Sequence, residues 1–167
     1  MKRLIYLLTF TVFIGVFATA QVNHNKSLQF VLKQGTVNKE FFFSKQRREY
    51  FDSLVLVYLG DIRTDRGRIL KIVTSRWYWG LSPKATSRIV IFNERNQYLG
   101  DYYLTMTSDI PDKIERSKLV FINDIKRDCT PGLVTKVSFK KGIPNQFFLR
   151  CKGKSGDIYS FVPNLIK

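Results

Sequence analysis

Arg88-Ile89-Val90-Ile91-Phe92-Asn93-Glu94-Arg95-Asn96-Gln97-Tyr98-Leu99-Gly100-Asp101-Tyr102-Tyr103-Leu104 is the stretch that decides the fold class. Its first five residues are β-formers, apolar on both faces, as a covered central strand requires. Asn93 to Asn96 supply a short polar connection, and an aromatic-rich run follows. Two β-rich runs joined by so short a link form a hairpin. Gly100 inside the second run marks a bulge or a close approach of another backbone.

The same grammar extends in both directions. Leu54–Leu59 is dense in β-formers and stops at Gly60-Asp61. Asp65-Arg66-Gly67 is a turn, after which Arg68–Val73 begins a strand that can continue to Trp77-Tyr78-Trp79 before Gly80 and Pro83 break it. Downstream lie Leu119–Ile122, then Leu133–Phe139 with Val137 and Phe139 on one side, then Gln146–Cys151 and Asp157–Phe161. Turn signals stand between most of these runs. The pattern predicts a mainly β chain: a single antiparallel β-sandwich or small barrel of about eight short strands. Upstream, Leu28-Gln29-Phe30-Val31-Leu32 reads as a first strand ended by Gly35. Phe43, Arg47 and Tyr50 fall at helical spacing and leave room for one short helix near residues 39–52.

The N-terminus reads as a secretory signal peptide. Met1-Lys2-Arg3 is charged, the run from Leu4 to Phe17 is apolar, and Ala18-Thr19-Ala20 is a small-x-small exit. Residues 1–20 are therefore expected to be removed, leaving 21–167 as a single β-rich domain with 21–27 loose. An uncleaved anchor fits less well, because the run is short for a span of about 20 apolar residues and holds Thr9 and Thr11. No later run approaches spanning length, so no transmembrane span is expected after cleavage. The expected location is periplasmic or extracellular.

Charge is the next constraint. The whole chain carries 28 Lys and Arg against 13 Asp and Glu, a formal charge of +15. Loss of Lys2 and Arg3 brings it to +13. Such an excess attracts acidic proteins and anionic polymers. The basic residues are scattered, which fits a solvated surface better than a dedicated nucleic-acid groove, and no nucleic-acid motif is present. Cys129 and Cys151 are the only cysteines. In an oxidising compartment they are expected to pair.

Catalytic patterns fail one after another. Gly153-Lys154-Ser155 has the tail of a phosphate-binding loop, but the required earlier glycine is Phe148. Ser138-Phe139-Lys140-Lys141 fits Ser-x-x-Lys in a predicted strand rather than at a helix start. A nucleophile–His pair or a zinc site would have to use His24, the single histidine. Asp61, Asp65, Glu94, Asp109, Asp112 and Asp157 sit near turns, where they cap backbone more often than they catalyse. Neither a cofactor nor a metal is expected.

One constellation remains. Arg76-Trp77-Tyr78-Trp79, followed by Lys84 and Arg88, gathers aromatics and cations within a short span. In a strand Trp77 and Trp79 share a face and Tyr78 takes the other. The tryptophan face serves either as core, which small β-domains favour, or as an anchor for a partner. On the core reading Tyr78 is the exposed aromatic. The expectation is an exported binding protein: an inhibitor or immunity-type protein acting on an acidic protein. A binder of anionic envelope polymers or lipids is the alternative. An enzyme with an unrecognised carboxylate or tyrosine site is the third possibility.

Overall fold

Alternation of apolar and polar residues builds two antiparallel sheets. The computed structural model describes residues 24–45, 51–82, 84–123 and 129–164. Among these residues one helix, α1 (His24–Gln34), precedes ten strands: β1 (Glu40–Ser44), β2 (Phe51–Arg63), β3 (Ile69–Gly80), β4 (Lys84–Asn93), β5 (Tyr98–Leu104), β6 (Lys113–Glu115), β7 (Lys118–Ile122), β8 (Val134–Ser138), β9 (Gln146–Arg150) and β10 (Gly156–Pro163). The large sheet has the order β1-β2-β3-β4-β5-β10-β9, and the small sheet β6-β7-β8. The β-sandwich expectation holds.

The two sheets enclose the main core. Ile72, Ile89, Ile91, Tyr102 and Phe147 from the large sheet meet Leu119 and Phe121 of β7, Val137 of β8, and Phe139. Tyr102 is fully buried. It stands 5.0 Å from the Phe147 ring and 5.3 Å from that of Phe161, and its hydroxyl donates to the Pro144 carbonyl.

The opposite face of the large sheet is covered in part by α1. Val31 and Leu32 pack on Leu54, Leu56, Tyr58, Val73, Val90 and Phe92, with Leu28, Phe41, Phe43 and Trp77 at the margin. Residues 28–32 are therefore helical rather than a first strand. Leu28, Val31 and Leu32 recur at i, i+3 and i+4, the spacing of one helix face, and a short apolar run alone does not separate that from a strand. Gly35, with φ +60, closes the helix by donating its N–H to the Val31 carbonyl at 3.2 Å. Residues 24–27 belong to this helix and are not loose. The expected signal peptide lies outside the described residues.

The helix expected near 39–52 is absent from the described part of that span, which instead forms β1 and the start of β2. Period two prevails because Phe41 and Phe43 both turn inward beneath Phe30, at ring distances of 5.8 and 6.0 Å, while Phe42 points to solvent. Arg47 and Tyr50 lie outside the described residues. Gly60 likewise does not stop its strand. The β2–β3 register shifts between Tyr58 and Gly60, a bulge that reverses the alternation. Leu54, Leu56 and Tyr58 face α1, whereas Leu59 and Ile62 join the main core.

The hairpin forms as read, with Ile89 opposite Tyr102 and a bulge where Ile91 pairs with Gly100 and Phe92 with Tyr98. Gly100 has φ +148, and a Cβ there would lie 2.3 Å from the Val162 carbonyl oxygen. Both readings of that glycine, bulge and close approach, apply. Cys129 and Cys151 are joined, with an S–S distance of 2.00 Å. The bridge ties the segment before β8 to the end of β9, where Thr130 N–H also donates to the Cys151 carbonyl at 2.9 Å. Among the described residues no helix is long and apolar enough to cross a membrane.

Candidate functional site

α1 is short, so among the described residues one end of its sheet face is left uncovered. Strand alternation decides which side chains stand there. On β3, Val73 faces the helix, so Ser75, Trp77 and Trp79 do as well. On β4, Val90 and Phe92 set the same phase for Lys84, Thr86 and Arg88. Register places Trp79 opposite Lys84, Trp77 opposite Thr86 and Ser75 opposite Arg88, and then Arg88 opposite Tyr103 of β5.

The result is a ladder of rings and cations. Trp77 and Trp79 stack at 5.6 Å with an interplanar angle of 29°. Lys84 Nζ lies 5.5 Å over the Trp79 ring, and the Arg88 guanidinium lies 5.5 Å over Tyr103. Cations over aromatic faces contribute about 0.5–1 kcal/mol each at exposed sites. Two buried acids sit beneath. Asp52 accepts from Trp77 Nε1 at 2.9 Å, and Asp101 accepts from Arg88 at 2.8 Å and from the Tyr98 hydroxyl at 2.7 Å. Burial and that bond to Asp101 raise the Tyr98 phenol above its ordinary range. Asp52 and Asp101 are each 5% exposed, while Lys84, Arg88 and Tyr103 stand outermost.

Where this ladder meets the start of α1, a cleft of about 650 Å³ opens. His24 and Leu28 form its helix wall, Trp77, Thr86 and Arg88 its sheet wall. His24 meets Trp77 edge to face at 4.6 Å. Burial holds its imidazole below the ordinary value of 6.5, and nearby Arg88 pushes the same way against the opposing pull of Asp52. Thr86 Oγ1 and Trp79 Nε1 are buried and have no hydrogen-bond partner among the described residues. Unmet polar atoms of this kind carry a cost that a ligand or partner group can relieve.

The residues singled out from sequence divide between two faces. Trp77, Trp79, Lys84 and Arg88 come together. Arg76 and Tyr78 point to the other side, where Arg76 is held by Glu40 of β1. All three aromatics of Trp77-Tyr78-Trp79 are half-buried, so the tryptophan face is neither pure core nor fully open. Trp77 belongs to the margin of the α1 core. Sequence reasoning missed Thr86, Asp52 and Asp101, and weighed His24 only as a catalytic or metal-binding residue. Thr86 was within reach, since it alternates with Lys84 and Arg88. His24 needed the packing of α1, and Asp52 and Asp101 needed the strand pairings. No protein-family model matches the chain, and no curated protein or solved structure matches it significantly.

Proposed function

We propose that this is an exported binding protein whose open tryptophan–cation face takes an acidic protein partner. The observation that carries the reading is the layering of the ladder. Trp79, Lys84, Arg88 and Tyr103 line the open face, and the acids that would repel an acidic partner lie buried below. Tryptophan, tyrosine and arginine are the residues that dominate binding energy at protein interfaces. The two unpartnered atoms, Thr86 Oγ1 and Trp79 Nε1, support a face completed by something it binds. The excess of basic residues over the whole chain steers acidic partners toward it and raises the association rate. Export is supported by the N-terminal sequence pattern and is compatible with the disulfide.

The experiment is capture on immobilised mature protein, residues 21–167, from the extracellular or envelope fraction of its own source. It is run at about 0.1 M salt and again at about 1 M, where the Debye length falls to roughly 3 Å. The reading expects one acidic protein retained at both salt concentrations. Retention of many anionic species, all lost at high salt, would instead support the polymer-binding alternative.

A further inference from the structure

We propose a second, separate site: an arginine-lined cleft at the β2–β3 and β4–β5 turns that binds a phosphate group carried on an apolar body. The cleft encloses about 690 Å³ and lies between Arg66 and Arg68 of the first turn and Arg95 of the second. Its floor is apolar, formed by Ile69, Leu99 and Ile143. The connection between β8 and β9 closes one side. Asp65 N–H donates to the Lys140 carbonyl at 2.7 Å, and an Arg68 guanidinium nitrogen lies 3.2 Å from where Gly142 would carry a Cβ. Lys140 and Lys141 thereby join the same end of the molecule.

Two features separate this cluster from ordinary surface charge. The first is the absence of ion pairing. Arg76 and Arg88 each hold a carboxylate. Among the described residues no ion pair engages Arg66, Arg68 or Arg95, although Asp65 belongs to the first turn and Glu94 lines the cleft beside Arg95. The second is rigidity of the supports. Thr64 N–H donates to the Arg68 carbonyl at 2.9 Å, and Thr64 Oγ1 accepts the Arg68 N–H at 3.1 Å. Asn93 Oδ1 accepts the N–H groups of Arg95 and Gln97, each at 2.9 Å. Lys71 Nζ donates to Asn96 Oδ1 at 2.7 Å and fixes the far side of that turn.

Three arginines lining one cleft on fixed turns, against the single carboxylate of Glu94, make an anion site, because each guanidinium presents a planar fork of donors. A carboxylate satisfies one such fork. A phosphate, with more charge and more acceptor oxygens, matches three. The apolar floor gives no purchase to free phosphate and favours a phosphate bearing hydrocarbon, as in a lipid headgroup.

Isothermal titration of the mature protein tests this with two probes, inorganic phosphate and monomeric dihexanoyl phosphatidic acid. The site predicts saturable binding of the lipid, about tenfold or more tighter than inorganic phosphate. Combined Arg66→Gln, Arg68→Gln and Arg95→Gln substitution is expected to weaken it by about a hundredfold, with unchanged thermal stability showing that the fold is intact. Trp79→Ala, on the distant ladder, leaves it unaltered, so this site and the protein-binding face fail independently. Equal affinity for both probes assigns the cleft to free phosphate and removes the apolar part of the proposal. Absence of saturable binding for either probe, or undiminished binding by the triple variant, overturns it.

Discussion

Replacing Gly100 with alanine gives the most demanding test of the packing. The added Cβ would lie 2.3 Å from the Val162 carbonyl oxygen and 2.4 and 2.9 Å from two atoms of the Phe161 ring. Neither obstacle is free to yield. The carbonyl belongs to the short β5–β10 pairing, which runs only from Phe161 opposite Tyr102 to Pro163 opposite Gly100. The Phe161 ring packs on buried Tyr102 at 5.3 Å. Overpacking of this kind costs roughly 1–3 kcal/mol, and the left-handed backbone adds about 1 kcal/mol for a residue with a Cβ. The expected loss is about 3 kcal/mol. At about 2.1 cal/mol/K of unfolding entropy per residue, a domain of roughly 150 residues then melts about 10 °C lower. Gly35→Ala is the matched control. Gly35 has φ +60 but nothing within 4 Å of its Cβ position, so only the backbone cost of about 1 kcal/mol applies. Thermal and urea unfolding followed by circular dichroism measure both. Equal losses for the two variants would refute the claim that β10 presses on Gly100.

Three further outcomes are expected, two from the structure and the last from the N-terminal sequence pattern. Cys129 and Cys151 are 22 residues apart, so replacing both with serine is expected to lower stability by about 3 kcal/mol on the chain-entropy estimate; a change under about 1 kcal/mol in urea unfolding would contradict it. His24 is held below its ordinary value of 6.5 chiefly by burial. The folded state thus binds fewer protons than the unfolded one just below pH 6.5, so the stability tied to neutral His24 is complete above pH 6.5 and declines as pH falls through that region. His24→Gln should flatten that part of the stability profile, and an unchanged slope would remove His24 as its source. Finally, N-terminal sequencing of the exported protein should begin at or beside Gln21, whereas a membrane-embedded chain still starting at Met1 would reject export.

How much the sequence disclosed depended on how local the deciding contacts were. The β4–β5 hairpin and the alternation of Val137 and Phe139 were readable because strand period and turn chemistry are properties of neighbouring residues. The disulfide was readable because only two cysteines exist. Leu28–Leu32 misled because five apolar-rich residues fit either period until a partner surface is known. The helical spacing of Phe43, Arg47 and Tyr50 misled for a related reason, since the ring that covers Phe43 comes from Phe30 of α1. At the candidate site, alternation correctly put Trp77 and Trp79 together and Tyr78 apart. The same alternation puts Arg76 on the Tyr78 side; what it could not show is that Glu40 of β1 holds Arg76 there. The arginine cleft draws on turns spread over more than seventy residues, and no local pattern announces such a meeting.

The central claim is that binding runs through the tryptophan–cation face, and one comparison tests it most directly. The affinity of the captured partner is measured for the wild type, for Trp79→Ala and for Tyr78→Ala, which alters the opposite side of the same strand. The account predicts that Trp79→Ala loses about 2 kcal/mol or more, roughly thirtyfold in Kd, while Tyr78→Ala binds like the wild type. Equal affinity in all three, or a loss confined to Tyr78→Ala, would contradict it.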